Sequence, residues 1–350
     1  MAAVQVIDPR SSPAWDEFVS THPEATVFHT AAWASVLGET YGYRPRYYAL
    51  TEASGEIAAA APMMLVSSRL TGRRLVGLPF SDLCPPLALP GSDSGVLAEA
   101  LLRDAARERI SYVEVRGPSP LPLEERGFKS ASWFVRYLVP LDVPLAELEG
   151  RFHSSARRGI RKAEKEGVSV RCSDSADDLR RFYDLHLETR RGHGLMPQPF
   201  RFFQRIHAHY LATGDGFLLL AEAGGRLLAG DLLLRHGRTL VYKFNASDER
   251  SLERRPNNAL MWEAVQLGQR LGCTELDLGR CETDNEGLRR FKALWASNEV
   301  ALPYYFYPEV KGATAMSQKR LANTLLAAAV RFTPRPLLPR LGNLTYRHLG

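Results

Sequence analysis

Two arginines close runs that alternate like β-strands: Arg116 ends YVEVRG and Arg280 ends LDLGR. At a strand end facing a loop, a guanidinium offers a planar fork that grips a phosphate or carboxylate bidentately. The same fork equally suits an ion pair with an acid from a nearby loop. Asp82 lies in PFSDLCPP, a Pro-rich loop after a strand-like run. A carboxylate there can accept the proton of an attacking amine, or simply close its own turn. In TLVYKFNAS, period-two alternation puts Tyr242 and Phe244 on one face and Lys243 and Asn245 on the other. Tyr242, Lys243 and Asn245 are therefore candidate substrate contacts, with core packing the alternative for Tyr242. Tyr304 and Tyr305, in VALPYYFYP, either line a cleft or fill core. Arg157, Arg161 and Lys165 recur at i, i+4, i+8 on a predicted helix, a basic face for nucleic-acid phosphates or for solvent. The sequence contains no Ser-His-Asp arrangement, no P-loop and no metal-ligand spacing; His207 and His209 stand two apart on a helix and face different ways. The usual Arg/Gln-x-x-Gly-x-Gly/Ala loop for acetyl-CoA pyrophosphate is also missing, which disfavours ordinary acetyl-CoA chemistry.

The elements that must position these residues follow from periodicity. Short helices are predicted over 14–20 and 30–41, strands over 46–50 and 56–66, a helix over 94–110, and strands over 112–117 and 132–141. The pattern then restarts with one long helix over 145–167, a short strand at 169–172, helices from 177 and 199, a hairpin across Gly224-Gly225, and a strand over 239–247. A long helix at 257–272, a strand ending at Arg280, a short helix carrying Phe291 and Lys292, and a closing strand complete it. The repeated order of elements predicts two α/β modules with mixed sheets flanked by helices, 1–140 and 141–310, followed by a tail over 311–350.

Length supports two domains, and the composition is that of a soluble globular chain, with 45% hydrophobic and 24% charged residues. The N-terminal stretch lacks the features of a signal peptide, and no apolar run is long enough for a membrane helix. Cys84, Cys172, Cys273 and Cys281 read as reduced thiols and the location as cytoplasmic. The net charge of +6 sits in the tail, where residues 311–350 hold seven Lys/Arg and no acid, so the body is close to neutral. A predicted helical stripe through Leu321, Leu325, Ala328 and Phe332 makes this tail either a cover for the first module or a peripheral contact with an anionic membrane.

The runs ARRGIRKAEKEGVSV, YKFNAS, PNNALMWEAVQLGQRLGCTELDLGR and GLRRFKALWASNEVALPYYFYP, with WDEFVSTHPEATVFHTAAWASV near the start, resemble the FemABX peptidyltransferase family. The form LDLGR…GLRRFK…W looks most like FemAB-type proteins linked to exopolysaccharide and exosortase systems. This resemblance implies two GNAT-like modules and no metal or redox cofactor. It also implies transfer of an aminoacyl group, from aminoacyl-tRNA, to an amine of a cell-envelope or secondary-metabolite acceptor. Phe291-Lys292 stands where the family's Phe-Lys pair stands. The resemblance makes Lys292 the positive charge that steadies a tetrahedral oxyanion, aimed by Phe291; as a charge on a short helix, the position itself reads as exposed.

Two positions depart from the family's cell-wall ligases, namely Leu37, where a Lys is usual, and the GLMPQPFRFF stretch, where Gln198 and Phe202 replace Arg and Tyr. Both basic positions are associated with the phosphates of a nucleotide-linked muramyl precursor, so that acceptor is not expected here. Two alternative functions are an acyl-CoA- or carrier-dependent N-acyltransferase of polysaccharide modification and a non-catalytic binding module at a membrane.

Overall fold

The computed structural model of the chain describes residues 2–68, 72–295, 298–308 and 327–349. The chain forms two compact units: Met1–Trp133 with Leu302–Asn323 and Asn343–Gly350, and Phe134–Ala301 with Thr324–Gly342. In the first unit the order is β1 (Ala3–Ile7), α1 (Pro13–Thr21), α2 (Ala31–Tyr41), β2 (Arg44–Pro45), β3 (Tyr47–Thr51), β4 (Ile57–Ala61), β5 (Met64–Ser68), β6 (Gly72–Val76), β7 (Leu87–Ala88), α3 (Gly95–Arg107) and β8 (Tyr112–Arg116). The passage into the second unit falls inside β9 (Lys129–Pro140). There follow α4 (Leu145–Arg151), α5 (Ser154–Lys165), β10 (Ser169–Ser173), α6 (Ala176–Gly192), α7 (Phe200–Ile206), β11 (Gly216–Ala223), β12 (Arg226–His236), β13 (Thr239–Ser247), α8 (Pro256–Arg270), β14 (Glu275–Glu282) and α9 (Glu286–Ala293). β15 (Asn298–Tyr307) begins in the second unit and ends in the first, and a last helix spans Leu338–Leu349. Of the predicted tail stripe, Leu321 and Leu325 lie outside the described residues.

In the first unit, β1-β3-β4-β7 form one antiparallel sheet, and β15, β8, β6, β5 and β2 are successive neighbours in another. α3 places Leu97, Ala98, Leu101 and Ala105 against Leu50, Ala59, Leu75, Val113 and Val115 to make its core. In the second unit the strand order is β10-β11-β12-β13-β14-β9, antiparallel throughout except for the parallel β13–β14 pair. The β11–β12 hairpin turns on Gly224 and Gly225, both at positive φ, as a two-residue turn of that hand requires.

One face of the second sheet is covered by α5 and α8, whose Ile160, Leu260, Met261, Ala264 and Val265 meet Leu219, Leu233 and Leu276. The other is covered by α6 and α7. There Phe182 comes so close to Gly230 that any Cβ on that residue would lie 2.8 Å from its ring, so glycine fixes how near the helix can lie. The unit is therefore a three-layer helix–sheet–helix sandwich.

Candidate functional site

The parallel pair β13–β14 is joined only at Thr239↔Glu275, Leu240↔Leu276 and Val241↔Asp277, although both strands run on to Ser247 and Glu282. Past Val241 the two strands part. Each is irregular there on its other side. On β13, Leu232 of β12 pairs with Phe244 and Leu233 with Tyr242, leaving Lys243 as an extra residue. On β14, the register with β9 shifts between Asp277 and Arg280, around Gly279 at φ 73°. Bulges of this kind bend a strand and re-aim its side chains.

The bulge at Lys243 corrects the alternation read from the sequence. One inserted residue moves the period-two pattern by one, so Tyr242 and Asn245 share a face and Phe244 takes the opposite one. Phe244 accordingly stacks edge-on with His186, Phe202 and Phe203, with ring centroids 6.0, 5.9 and 5.2 Å away. On the other face, Asn245 Nδ2 donates to Asp231 Oδ1 at 2.7 Å and to Asn257 Oδ1 at 3.1 Å. The Tyr242 hydroxyl donates to the Asp231 carboxylate, and burial with that neighbour holds Tyr242 well above the ordinary phenol range.

Asp231 is the residue that sequence reading missed. It is 1% exposed. Burial pushes its carboxyl up to about 7, against the opposing pull of hydrogen bonds from Asn245 and Tyr242. The available signal was one acid inside the apolar run LLAGDLLL: an acid at a core position is kept only with partners.

Lys292 is buried, at 4% exposure, which corrects the expectation of an exposed helix position. Asn285 caps α9 by accepting from Leu288 N–H, and the helix turns Lys292 inward. Its Nζ donates to the carbonyls of Gly279 at 2.8 Å and Arg280 at 3.0 Å, so the ammonium is docked on the bulge of β14. Asp277, at the last parallel pair, accepts from Gly279 N–H at 2.8 Å and from Arg136 at 3.0 Å. Arg280 stacks its guanidinium 4.3 Å from the Phe134 ring centroid. Phe291 packs on the core 6.2 Å from Trp295. The structure thus brings Tyr242, Asn245, Arg280 and Lys292 to the two bulged strands that part after Val241 and Asp277. Arg157 is half-buried and Arg161 and Lys165 are exposed on α5, whose inward face is Ala156, Gly159, Ile160 and Ala163.

In the first unit, Asp82, Arg116 and Tyr304 meet at the loop after β6. Of the two alternatives for Arg116, the structure shows an ion pair: its Nε pairs with Glu114 at 2.6 Å, and one terminal nitrogen donates to the carbonyls of Leu78 and Ser81, each at 3.1 Å. Arg116 is a brace for this loop. Tyr304, 2% exposed, donates its hydroxyl to the Asp82 carbonyl at 2.8 Å. The loop needs such support because Leu78 and Phe80 both hold positive φ, 33° and 63°, which costs non-glycine residues energy and is frequent where side chains are presented for function. Asp82 itself is half-buried on this loop. Tyr305 packs against the core of the unit.

The two positions that depart from the cell-wall ligases both face inward. Leu37 is fully buried. Gln198 is 7% exposed, its side-chain oxygen meeting His186 Nε2 at 3.0 Å and its carbonyl accepting from the Tyr183 hydroxyl at 3.0 Å. Burial holds His186 neutral, down at about 3, so the imidazole rather than an imidazolium faces that oxygen. An open cavity of about 920 Å³ lies elsewhere in the unit, beside α6. None of the predicted site residues lines it, and its Arg226 and Arg250 are held by Asp248. Among the described residues no group of His, Cys, Asp or Glu is arranged to hold a metal ion.

Residues 150–293 match the acetyltransferase (GNAT) domain family. Over 134 residues the chain is 26% identical to a UDP-N-acetylmuramoylpentapeptide-lysine N(6)-alanyltransferase of Weissella viridescens; the match covers 38% of this chain and only 39% of that protein's length. The fold is similar to the crystal structure of FemX, with a TM-score of 0.69 at 16% identity over 92% of this chain and all of that one. It is also similar to L-PGS from Bacillus licheniformis, with a TM-score of 0.54 at 14% identity over 85% of this chain and 97% of that one. The chain is thus similar in sequence, over 134 residues, to a peptidoglycan-precursor alanyltransferase, and its fold is like that of FemX, with a GNAT domain over 150–293.

Proposed function

We propose that the protein is an acyltransferase that moves an aminoacyl group, carried as the ester of an aminoacyl-tRNA, onto an amine of a cell-envelope or secondary-metabolite acceptor. The observation that carries this reading is the parted β13–β14 pair with the buried ammonium of Lys292 docked at its edge. When an amine attacks an ester carbonyl, negative charge collects on the carbonyl oxygen, and a fixed cation in a dry site lowers that barrier more than it would in water. In this reading Lys292 supplies the charge and Phe291 packs its helix in place. The amine's proton passes to the tRNA hydroxyl oxygen that leaves as the ester bond breaks. Tyr242, Lys243, Asn245 and Arg280 contact substrate, and Arg157, Arg161 and Lys165 meet tRNA phosphates. The protein works in the cytoplasm, with an anionic membrane surface as partner of its C-terminal segment.

The match of 150–293 to the GNAT acetyltransferase domain favours one second reading, an N-acyltransferase that takes its acyl group from CoA or a carrier. Purified protein incubated with radiolabelled charged tRNAs and cell-envelope extract decides between them. Label appearing in an amide-linked product supports the first reading. Transfer that proceeds only from acyl-CoA or a carrier supports the second.

A further inference from the structure

Among the described residues, eight large apolar side chains are exposed, and four of them, Phe332, Leu337, Leu341 and Leu344, fall within thirteen positions of the C-terminal segment. The last helix explains the pattern. Leu338, Gly342 and Tyr346 recur every fourth residue and are buried. The opposite face shows Leu337, just before the helix, then Leu341 and Leu344, with Arg340 and Arg347 beside them. Spacings of three and four residues keep these five on one stripe. No acid occurs anywhere in 311–350. Arg335, lower on the segment, is engaged with Asp184 at 3.2 Å and Glu188 at 3.3 Å, whereas Arg340 and Arg347 are exposed.

We propose that this helix is an interfacial element that lays Leu337, Leu341 and Leu344 into an anionic phospholipid surface, with Arg340 and Arg347 at headgroup level and Phe332 as a further apolar anchor. Charge chooses an anionic partner. The leucine stripe chooses lipid over nucleic acid, because phosphates in water reward cations and gain nothing from exposed leucines. The proposal deepens the membrane part of the function above and is independent of which acyl group is moved.

Co-sedimentation of the full chain with vesicles tests it. Vesicles of equal parts phosphatidylglycerol and phosphatidylcholine should bind the protein, and pure phosphatidylcholine should bind it far less. Replacing both Arg340 and Arg347 by Gln should weaken binding by about 25-fold, taking about fivefold per cation near such a surface. The pair Phe332→Ser and Leu344→Ser, at side chains 86% and 62% exposed, should weaken it by about tenfold without changing the melting temperature. A Leu344→Trp variant should show blue-shifted fluorescence on the anionic vesicles. Equal affinity for both vesicle types, or no fluorescence shift, would overturn the proposal. So would binding that depends on the arginines but is indifferent to Phe332 and Leu344, the behaviour of a polyanion site.

Discussion

Lys292 carries two burdens at once. Its ammonium hydrogen-bonds the Gly279 and Arg280 carbonyls inside the protein, and the proposed chemistry asks it to steady a developing oxyanion. Lys292→Met keeps the side chain's length and removes the charge. Turnover should fall by about 10²–10³, as for the loss of one such donor. Because two buried carbonyls lose their partner, stability should also fall by about 1–3 kcal/mol. Stopped assays paired with urea melts separate the effects; near-normal turnover in a folded variant would remove Lys292 from the chemistry. Asp231 makes a prediction of the opposite sign. Its carboxyl is raised from 3.8 to about 7 by burial, so between those values the native state holds a proton that the unfolded chain has lost. Stability therefore falls as pH rises through that window. Asp231→Asn, which cannot ionise, should match wild type near pH 4 and exceed it at pH 8, by at most roughly 4 kcal/mol. Thermal melts across pH check this, and a constant difference between the two proteins would show that the carboxyl does not titrate there.

At the scale of elements, the loop after β6 leans on the guanidinium of Arg116. Arg116→Met would take away the guanidinium that pairs with the largely buried Glu114 and that holds the Leu78 and Ser81 carbonyls. A loss of about 3–5 kcal/mol is expected, the usual result of breaking a buried pair from one side, read as a shift in the urea midpoint. A change below about 1 kcal/mol, the scale of a surface pair, would mean that Arg116 does not brace the loop. The elements also show what a sequence yields and what it hides. Gly224-Gly225 announced its hairpin because only a left-handed turn uses such a pair so readily. The strand predicted over 56–66 is two strands, ending at Ala61 and resuming at Met64, because Pro62 has no N–H to give a ladder. The helix predicted over 145–167 breaks at Phe152 and restarts where His153 caps Ser155 N–H; its apolar period runs on through the break, so periodicity could not reveal it. The strand β1 was missed altogether, AVQVI being short and mostly exposed. The bulge at Lys243 was illegible because YKFNA keeps a regular alternation whether or not a residue is extruded. The same blindness gave Asp231 no assigned face, since its partners Tyr242 and Asn245 come together only after the extrusion.

For the whole molecule, the resemblance made the GNAT-type α/β architecture legible from a few runs, most of them in the second half of the chain. It did not reveal that Leu37 and Gln198 face the interior. Buried as they are, neither offers a cation to a diphosphate, so the nucleotide-linked muramyl pentapeptide should bind weakly or not at all. Micromolar affinity by calorimetry would overturn this and align the chain's acceptor with that of its Weissella viridescens relative.

The path of the chain through the first unit has a consequence for biosynthesis. β8 takes its antiparallel neighbour from β15, with Tyr304 opposite Arg116 and Tyr307 opposite Val113, and Tyr304 also ties down the Asp82 loop. When the ribosome has made the first 140 residues, that strand does not yet exist. At translation speeds of about 5–20 residues per second, the nascent unit waits roughly 10–35 s with an open sheet edge beside β8. Open edges recruit other strands, so this interval is when the polypeptide most needs a holdase. It follows that residues 1–140 produced alone should aggregate, and that a peptide carrying 298–308 supplied during refolding should restore solubility. A fragment 1–140 that stays monomeric and melts cooperatively would show that β15 is dispensable to the early fold.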